Sequence, residues 1–319
     1  MVNKLTLIFA AVLALAVSCN KSDSAISLQD EMVTVNYTVS FDNATTKAES
    51  EQQDGTAQYG EGASINKVLC LVYTVKQHVE EETESTVESY DLFTREEIDY
   101  QQGNTIQFQP RFFRNQRYKI VFVAYNNAAY VISEAADMTY AEDYATITDP
   151  EQYDAFTYAG DVDLDFSGSH VTLTRPFALW QVYTTDQDVN DSEALGARIT
   201  SASITSTVNT KYNVLNATFS DPNSMTFKRY FPADNSQEFA GQKYTLIASQ
   251  YIMPSDAVTV GLKVYAGDTE RVSFDIDNVP TVANKKVNIY GSLATTSQTI
   301  TINIDTGCGS NDDTINQSI

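Results

Sequence analysis

The residue types that could carry catalysis are sparse in this 319-residue chain. His78 and His170 are its only histidines, and neither stands in an HExxH zinc motif or has a GxSxG serine as a partner. Cys70 lies in an apolar stretch, where desolvation raises a thiol pKa and weakens the nucleophile, although a disulfide to Cys308 stays open. The chain has no Walker A, GxGxxG or CxxC sequence. We therefore expect no catalytic residue, no cofactor and no enzyme activity.

Acidic residues are the remaining candidates for chemistry. Asp161, Asp163 and Asp165 form a D-x-D-x-D pattern that begins like a calcium-binding loop. An EF-hand needs glycine at the sixth position and glutamate at the twelfth, whereas this chain has Phe166 and Thr172 there. No spacing selects a pair of carboxylates for glycoside hydrolysis. These patterns favour a solvated acidic face, and we predict no metal site.

One cysteine has the context for a covalent modification. A basic residue, Lys4, and an apolar stretch at 5–17 precede Cys19, as in a signal peptide too short to span a membrane. The sequence LAVSC, with Ser18 before the cysteine, resembles the lipobox of bacterial lipoproteins. Residues 1–18 are then removed and Cys19 carries a diacylglyceryl thioether, whose acyl chains partition into a leaflet at about 0.8 kcal/mol per methylene. An ordinary secretory signal is the alternative.

Strands are the elements that would position these residues. The first stretch after the signal alternates strictly, with polar residues between the apolar Val33, Val35, Tyr37, Val39 and Phe41. This period of two is typical of a half-buried strand. Further stretches rich in Val, Ile, Thr, Tyr and Phe predict strands at 66–75, 105–112, 117–126, 169–185, 197–208, 244–253, 257–266, 270–277, 285–293 and 298–306. Helical patterns are confined to 132–147 and 188–197.

The fold class that these patterns predict is all-β. We expect two tandem antiparallel β-sandwich domains, of Greek-key, transthyretin-like form, with few short helices. Strand spacings favour sandwiches over βαβ units, which would need helices between the strands. The predicted division is a polar tether at 19–30, an N-terminal sandwich at 31–165, a C-terminal sandwich at 166–306 and a polar tail at 307–319.

The charge of the chain excludes one class of partner. It has 20 Lys and Arg against 42 Asp and Glu, a net charge of −22. Such a surface repels phosphate backbones, so nucleic acid is not an expected partner. High net charge of one sign is typical of a protein that stays soluble at an exposed location.

The order of these features resembles that of the Bacteroidales fimbrillin-like lipoproteins, the type V pilin superfamily. Cys19 is followed by the strand at 33–41, then by TTKAESEQQDG and INKVLCLVYT. VTLTRPFALWQVYTTD looks like the Leu-x-Arg-Pro-x-Ala strand of a related, uncharacterised lipoprotein group, and KKVNIYGSLATTSQTITINID resembles that group's closing hairpin. The resemblance implies a lipid-anchored two-domain β-sandwich at the outer membrane and cell surface, with other fimbrial subunits as partners.

The resemblance also implies a way of assembling. In the stalk pilins of that family, a protease cuts after a basic residue that follows the first strand, and a strand of another subunit fills the groove left behind. Mapped onto this chain, the cut falls between Lys47 and Ala48 and releases the anchor together with residues 33–41. The family commonly has arginine there, and a solvated loop lysine is the alternative reading of Lys47. The candidate donor strand carries on one face Ile300, Ile302 and Ile304.

A different function stays open beside this one. A surface lipoprotein could bind a glycan or a host ligand without polymerising, through exposed tyrosines and the single tryptophan, Trp180. The two functions predict different surroundings for that residue. A buried Trp180 is part of a core, whereas Trp180 on a flat exposed face would favour glycan binding.

Overall fold

The structure, a computed structural model, describes residues 32–41, 62–79, 86–184, 199–230, 236–239, 242–293, 299–305 and 313–318. Strands dominate these residues, and the only helical segments among them are two short 3₁₀ turns, Tyr144–Thr146 and Pro150–Tyr153. The predicted all-β class is confirmed. Among the described residues, no helix has the length and apolar character needed to cross a membrane.

The described residues form twenty-one strands in chain order. They are β1 (Met32–Thr34), β2 (Asn36–Phe41), β3 (Lys67–Val79), β4 (Thr86–Asp99), β5 (Ile106–Phe108), β6 (Arg111–Phe113), β7 (Tyr118–Tyr125), β8 (Tyr130–Ile132), β9 (Asp137–Tyr140), β10 (Phe156–Asp161), β11 (Gly168–Leu173), β12 (Ala178–Thr184), β13 (Ser201–Asn213), β14 (Thr218–Tyr230), β15 (Ser236–Phe239), β16 (Gln242–Ile252), β17 (Val258–Ala266), β18 (Thr269–Val279), β19 (Lys286–Gly291), β20 (Thr299–Asp305) and β21 (Asp313–Ser318).

Within the described segments, these strands form four larger sheets and one separate strand pair. The outer sheet has the order β11-β2-β5, and the inner sheet β10-β7-β3-β4. The bridging sheet is β18-β17-β13-β9-β8, with β14 also paired to β13, and the terminal sheet is β15-β16-β12-β19-β20-β21. The separate pair is β1 with β6. Most pairs are antiparallel as predicted, but β2 with β11 and β12 with β19 are parallel.

The centre of the inner sheet, formed by β7 and the first half of β3, is buried on both faces. On β3, Val68 and Cys70 belong to a core shared with the outer sheet, while Leu69 and Leu71 belong to a larger core shared with the bridging and terminal sheets. Successive side chains of a strand point to opposite faces, so a strand between two cores must be apolar at every position. The continuous apolar run around Cys70 therefore reflects a middle layer.

Strand pairing crosses the boundary predicted between residues 165 and 166. β11, after the boundary, pairs with β2, and β9, before it, pairs with β13. The division into two domains stays a prediction. Residues 313–318, predicted as part of a polar tail, form β21 at the edge of the terminal sheet.

The helix predicted at 132–147 is wrong. The segment contains the end of β8, all of β9 and one 3₁₀ turn. Between the strands, the Ser133 hydroxyl accepts hydrogen bonds from the amides of Ala135 and Asp137, at 3.2 and 3.1 Å. Ala136 then adopts the left-handed conformation, with φ at 59°. A serine that binds nearby amides competes with a helix, and here it closes a hairpin. The helix predicted at 188–197 lies outside the described residues.

Buried tyrosines predict an alkaline limit to stability. Burial raises the pKa of Tyr153 to about 12 and the pKa values of Tyr130 and Tyr251 well above their ordinary 10.0. The unfolded chain loses these protons near pH 10 while the folded chain keeps them, so this stabilisation is complete below that pH and is lost as the pH rises. Each tyrosine contributes about 1.4 kcal/mol per pH unit. We expect the urea midpoint, followed by circular dichroism, to fall steeply above pH 10; a constant midpoint would contradict this.

Candidate functional site

The strand that the sequence singled out lies in the middle of its sheet. β2 pairs in parallel with β11 from Asn36 to Phe41 and antiparallel with β5 from Tyr37 to Val39. Both long edges of the strand are therefore hydrogen-bonded to neighbours. Its removal would leave β11 and β5 with facing, unpaired edges.

The apolar face of this strand closes the core between the outer and inner sheets. Val35, Tyr37 and Val39 are 0%, 4% and 5% exposed, while Val33 and Phe41 are half-buried. The ring of Tyr37 packs against Phe122 of the inner sheet, with centroids 5.4 Å apart. Burial raises the pKa of the Tyr37 hydroxyl. The alternation predicted this inward face correctly.

The ladder of the predicted strand is interrupted near its start. β1 pairs with β6, the next residue Val35 donates its amide to the carbonyl of Pro110 at 3.2 Å, and β2 follows. On the partner side, Pro110 separates β5 from β6 in the same way, because proline cannot donate to a ladder. The stretch 33–41 is thus two strands that keep one register with their partners across this interruption.

Polar residues hold the outer side of the same strand. Ser40 of β2 makes a 3.0 Å hydrogen bond to Nε2 of His170 on β11, and its hydroxyl lies 3.4 Å from that of Thr172. Asn36 donates its amide and its side chain to the carbonyl of Ser167. His170, considered for catalysis, therefore has a structural partner on the strand beside it.

The end of β2 leads to a buried ion pair. Phe41 stacks on Phe156, with ring centroids 5.0 Å apart and planes inclined by 14°. The guanidinium of Arg175 lies over the other ring, 4.6 Å from its centroid. Arg175 donates two hydrogen bonds to Asp154, at 2.5 and 2.8 Å, and the two side chains are 1% and 0% exposed. Burial by itself would lower the pKa of Arg175, but the Asp154 carboxylate raises it above the ordinary value.

The sequence patterns gave no role to Arg175 beyond its place in the Leu-x-Arg-Pro stretch. Arg175 stands in the Leu-x-Arg-Pro stretch, three residues before β12, and its partner Asp154 lies 21 residues earlier in a loop. A charged residue just before a continuous apolar strand was the available signal, because arginine is almost never fully buried unless it is paired. Nothing local in the sequence identifies Asp154 as the partner.

Cys70 lines a cavity, but its buried thiol is a poor nucleophile. The cavity holds about 360 Å³ and is lined mainly by β4, including Phe93 and Glu96, and by residues 109–111, with Met32 of β1 beside them. Cys70 is a free cysteine that is 1% exposed. Burial, and then the Glu96 carboxylate, raise the pKa of its thiol. The thiol is thus a small core group.

Two other sequence candidates have defined surroundings. Asp161 ends β10, and Asp163 and Asp165 lie in the loop after it, where the Asp163 carboxylate accepts the Asp165 amide. In the part of the chain that the structure describes, no three His, Cys, Asp or Glu side chains come together as a metal site. Trp180 is fully buried and donates its indole N–H to the Pro280 carbonyl at 3.0 Å. It is a core residue, which counts against glycan binding through this side chain.

The remaining predicted residues concern anchoring, processing and strand donation. Cys19, Lys47 and Ala48 are outside the described residues. The donor candidate at 300–304 is in β20, between β19 and β21, and Ile302 is fully buried. The structure of one chain thus contains both β2, the candidate plug that the cut would release, and β20, the candidate donor. Each is paired with neighbouring strands.

One protein family matches nearly the whole chain. The family described as "Family of unknown function (DUF6562)" matches residues 27–318. The chain belongs to this family. The DUF6562 match begins just before β1 and ends with β21, so it includes the outer sheet and the terminal sheet together. A search of curated proteins gave no significant match.

Solved structures similar to this DUF6562 member come from Parabacteroides and Porphyromonas species. A fimbrial assembly protein from Parabacteroides distasonis is 12% identical, with a TM-score of 0.46, and the match covers 90% of this chain and 99% of that one. The tip fimbrial protein Mfa3 from Porphyromonas gingivalis, with a C-terminal truncation, is 9% identical, with a TM-score of 0.43 and coverage of 86% and 99%. The fimbrial anchor protein Mfa2 from Porphyromonas gingivalis is 11% identical, with a TM-score of 0.43 and coverage of 85% and 97%.

Proposed function

We propose that the chain is an exported, lipid-anchored structural subunit of fimbrial type, held at the outer membrane through Cys19 and joined to other subunits by strand exchange. The observation that supports this best is the position of β2. It is the central strand of the outer sheet, and it belongs to the first described segment of the chain, residues 32–41. The next described segment starts at residue 62, on the far side of Lys47.

One cut after Lys47 would separate the anchor and β2 from the rest of the fold. The remaining chain would lose three buried side chains, of which the valines each stabilise the core by about 1.5–3 kcal/mol. The groove between β11 and β5 would then expose apolar surface and two rows of backbone groups. A strand of another subunit with the same alternation would cover the apolar surface and pair with both rows of backbone groups. The groove therefore favours β-augmentation by a second subunit.

The donor in this proposal is the face of β20 that carries Ile300, Ile302 and Ile304. These isoleucines recur every second residue, as Val35, Tyr37 and Val39 do in β2. β20 now lies between β19 and β21, so donation requires it to leave both neighbours. β21 must therefore separate from β20, because the two strands are paired from Thr299 to Ile304.

Limited proteolysis tests this function. Mild trypsin treatment should produce a chain that begins at Ala48, identified by intact mass, and electron microscopy should then show rod-like oligomers. An excess of a synthetic peptide of residues 31–43 should block the rods by refilling the groove, whereas a scrambled peptide should not.

The control is Lys47→Gln, which should resist the cut and stay monomeric. Rods from this variant would show that assembly does not depend on the cut. A chain that begins at Ala48 but stays monomeric would exclude polymerisation by this route.

Lipid anchoring gives a separate prediction. Cys19→Ala removes the thiol that would carry the acyl chains, and a protein without them has no firm hold on a leaflet. We expect the outer-membrane fraction of cells to lose the protein, as measured by immunoblotting of separated membranes. Cys308→Ala, which removes a different thiol, should leave the distribution unchanged. Outer-membrane association that persists in Cys19→Ala would rule out the anchor.

A further inference from the structure

A continuous line of contacts joins β2 to the terminal sheet. Phe41 stacks on Phe156, Arg175 lies over Phe156, and the ring of Tyr251 on β16 lies 5.5 Å from the same guanidinium. Phe156 and Phe41 belong to the core between the outer and inner sheets, whereas Tyr251 belongs to the larger core. Arg175 therefore stands between two cores that are otherwise separate clusters.

The arginine is held from several sides. Asp154 accepts two of its hydrogen bonds, and the ring of Phe156 covers one face of the guanidinium. Tyr251 donates its hydroxyl to Glu151 at 3.1 Å, next to the turn that leads to Asp154. A buried charge in such a setting is sensitive to small changes, because each contact is stronger when water is excluded and its loss is harder to replace.

β2 contributes one wall of this arrangement. Phe156 is fully buried, and Phe41 is one of the rings stacked against it. When β2 leaves, that side of the Phe156 ring is uncovered until another strand supplies an equivalent side chain. Water then reaches the neighbourhood of Arg175, and the cation–π contact weakens from its desolvated strength towards that of an exposed pair.

Tyr251, at the other end of this line of contacts, lies in the terminal sheet, which also contains the candidate donor strand β20. Tyr251 is paired with Leu179 of β12, β12 is paired with β19, and β19 with β20. A loosened contact at Tyr251 therefore acts on the strands that hold β20 in place. Loss of the plug and release of the donor would be linked within one subunit.

We propose that Phe41, Phe156, Arg175 and Tyr251 form a relay through which the presence of β2 stabilises the terminal sheet. The biological meaning of this relay rests on the proposed function, since it would make a subunit able to donate only after its own plug has gone. The relay itself is a property of the uncut chain. It can be tested without any cleavage, so a failure of strand exchange and a failure of the relay are distinguishable.

Hydrogen exchange of the full-length, uncut chain is the test. Phe41→Ala should speed amide exchange roughly tenfold in residues 242–252 and 286–291, the size expected when a buried cation–π contact is weakened. Val39→Ala is the matched control. It removes a more deeply buried side chain of the same strand, one that belongs to the first core but not to the relay. It should speed exchange in β2, β5 and β11 and leave the terminal sheet unchanged.

A milder variant keeps the test informative if Phe41→Ala does not fold. Phe41→Leu retains bulk but removes the stacked ring, and it should show the same pattern at smaller size, whereas Phe41→Tyr should resemble the natural chain. The relay is wrong if Phe41 and Val39 variants change the same peptides, or if the terminal sheet is unaffected by every change at Phe41.

Discussion

Replacing Asp154 with alanine will lower the free energy of unfolding by about 3–5 kcal/mol, the usual effect of removing one partner of a buried ion pair. Arg175 would keep its charge in a site where it is 2% exposed as a residue. Its ordinary pKa is far above neutrality, so it cannot escape by losing its proton. Urea unfolding at pH 7, followed by circular dichroism, measures the loss.

Two further variants define what the ion pair does. Glu270→Ala removes a partner of Lys263 in a pair where both side chains are more than 40% exposed, and it should change stability by no more than about 1 kcal/mol. The double change Asp154→Leu with Arg175→Met removes both charges and should regain much of the loss, because no unpaired charge stays buried. A loss below 1 kcal/mol in Asp154→Ala would contradict the buried pair.

Replacing Trp180 with alanine should cost about 3–5 kcal/mol, the range for removing a large aromatic side chain from a packed core. The side chain is fully buried, and its indole N–H satisfies the Pro280 carbonyl. Trp180 is the only tryptophan, so unfolding must be followed by circular dichroism rather than by fluorescence. In the natural chain, acrylamide should quench this tryptophan poorly until the protein unfolds.

An exposed aromatic gives the comparison for Trp180. Phe166 is 61% exposed, and Phe166→Ala should change stability by no more than about 0.5 kcal/mol. Trp180→Phe should fall between the two, because it keeps most of the volume but leaves the Pro280 carbonyl without its donor. Unchanged stability in Trp180→Ala would contradict the core assignment and would indicate that this side chain lies at the surface.

The period-2 pattern at 33–41 predicted the inward face of β2 correctly, but not the interruption of the ladder after β1. The interruption depends on Pro110, which lies 75 residues further along the chain, accepts a hydrogen bond from the Val35 amide and has no amide to donate in return. Local alternation reports which side chains point inward, since it follows from backbone geometry alone. It carries no information about which distant segment supplies the hydrogen bonds.

Two long strands were missed for a related reason. β4 and β14 were not among the predicted strands, and both carry charges, turn-forming residues or a proline, such as Pro222. Among the strands that the structure describes, each lies at the edge of its sheet and is paired along one side, so charged and irregular residues are tolerated there. Their strand conformation is set by the partners β3 and β13 rather than by their own composition.

From the sequence alone follow the strand character of this chain and the inward face of β2, and the sequence contains none of the recognised catalytic motifs. These are properties of neighbouring residues, and backbone geometry turns them directly into structure. Only the tertiary structure decided that Trp180 is buried, that β2 runs parallel to β11 and that Arg175 pairs with Asp154. Each of these joins segments through long-range packing, and a desolvated charge or an inserted strand depends on its whole surroundings rather than on its neighbours in the chain.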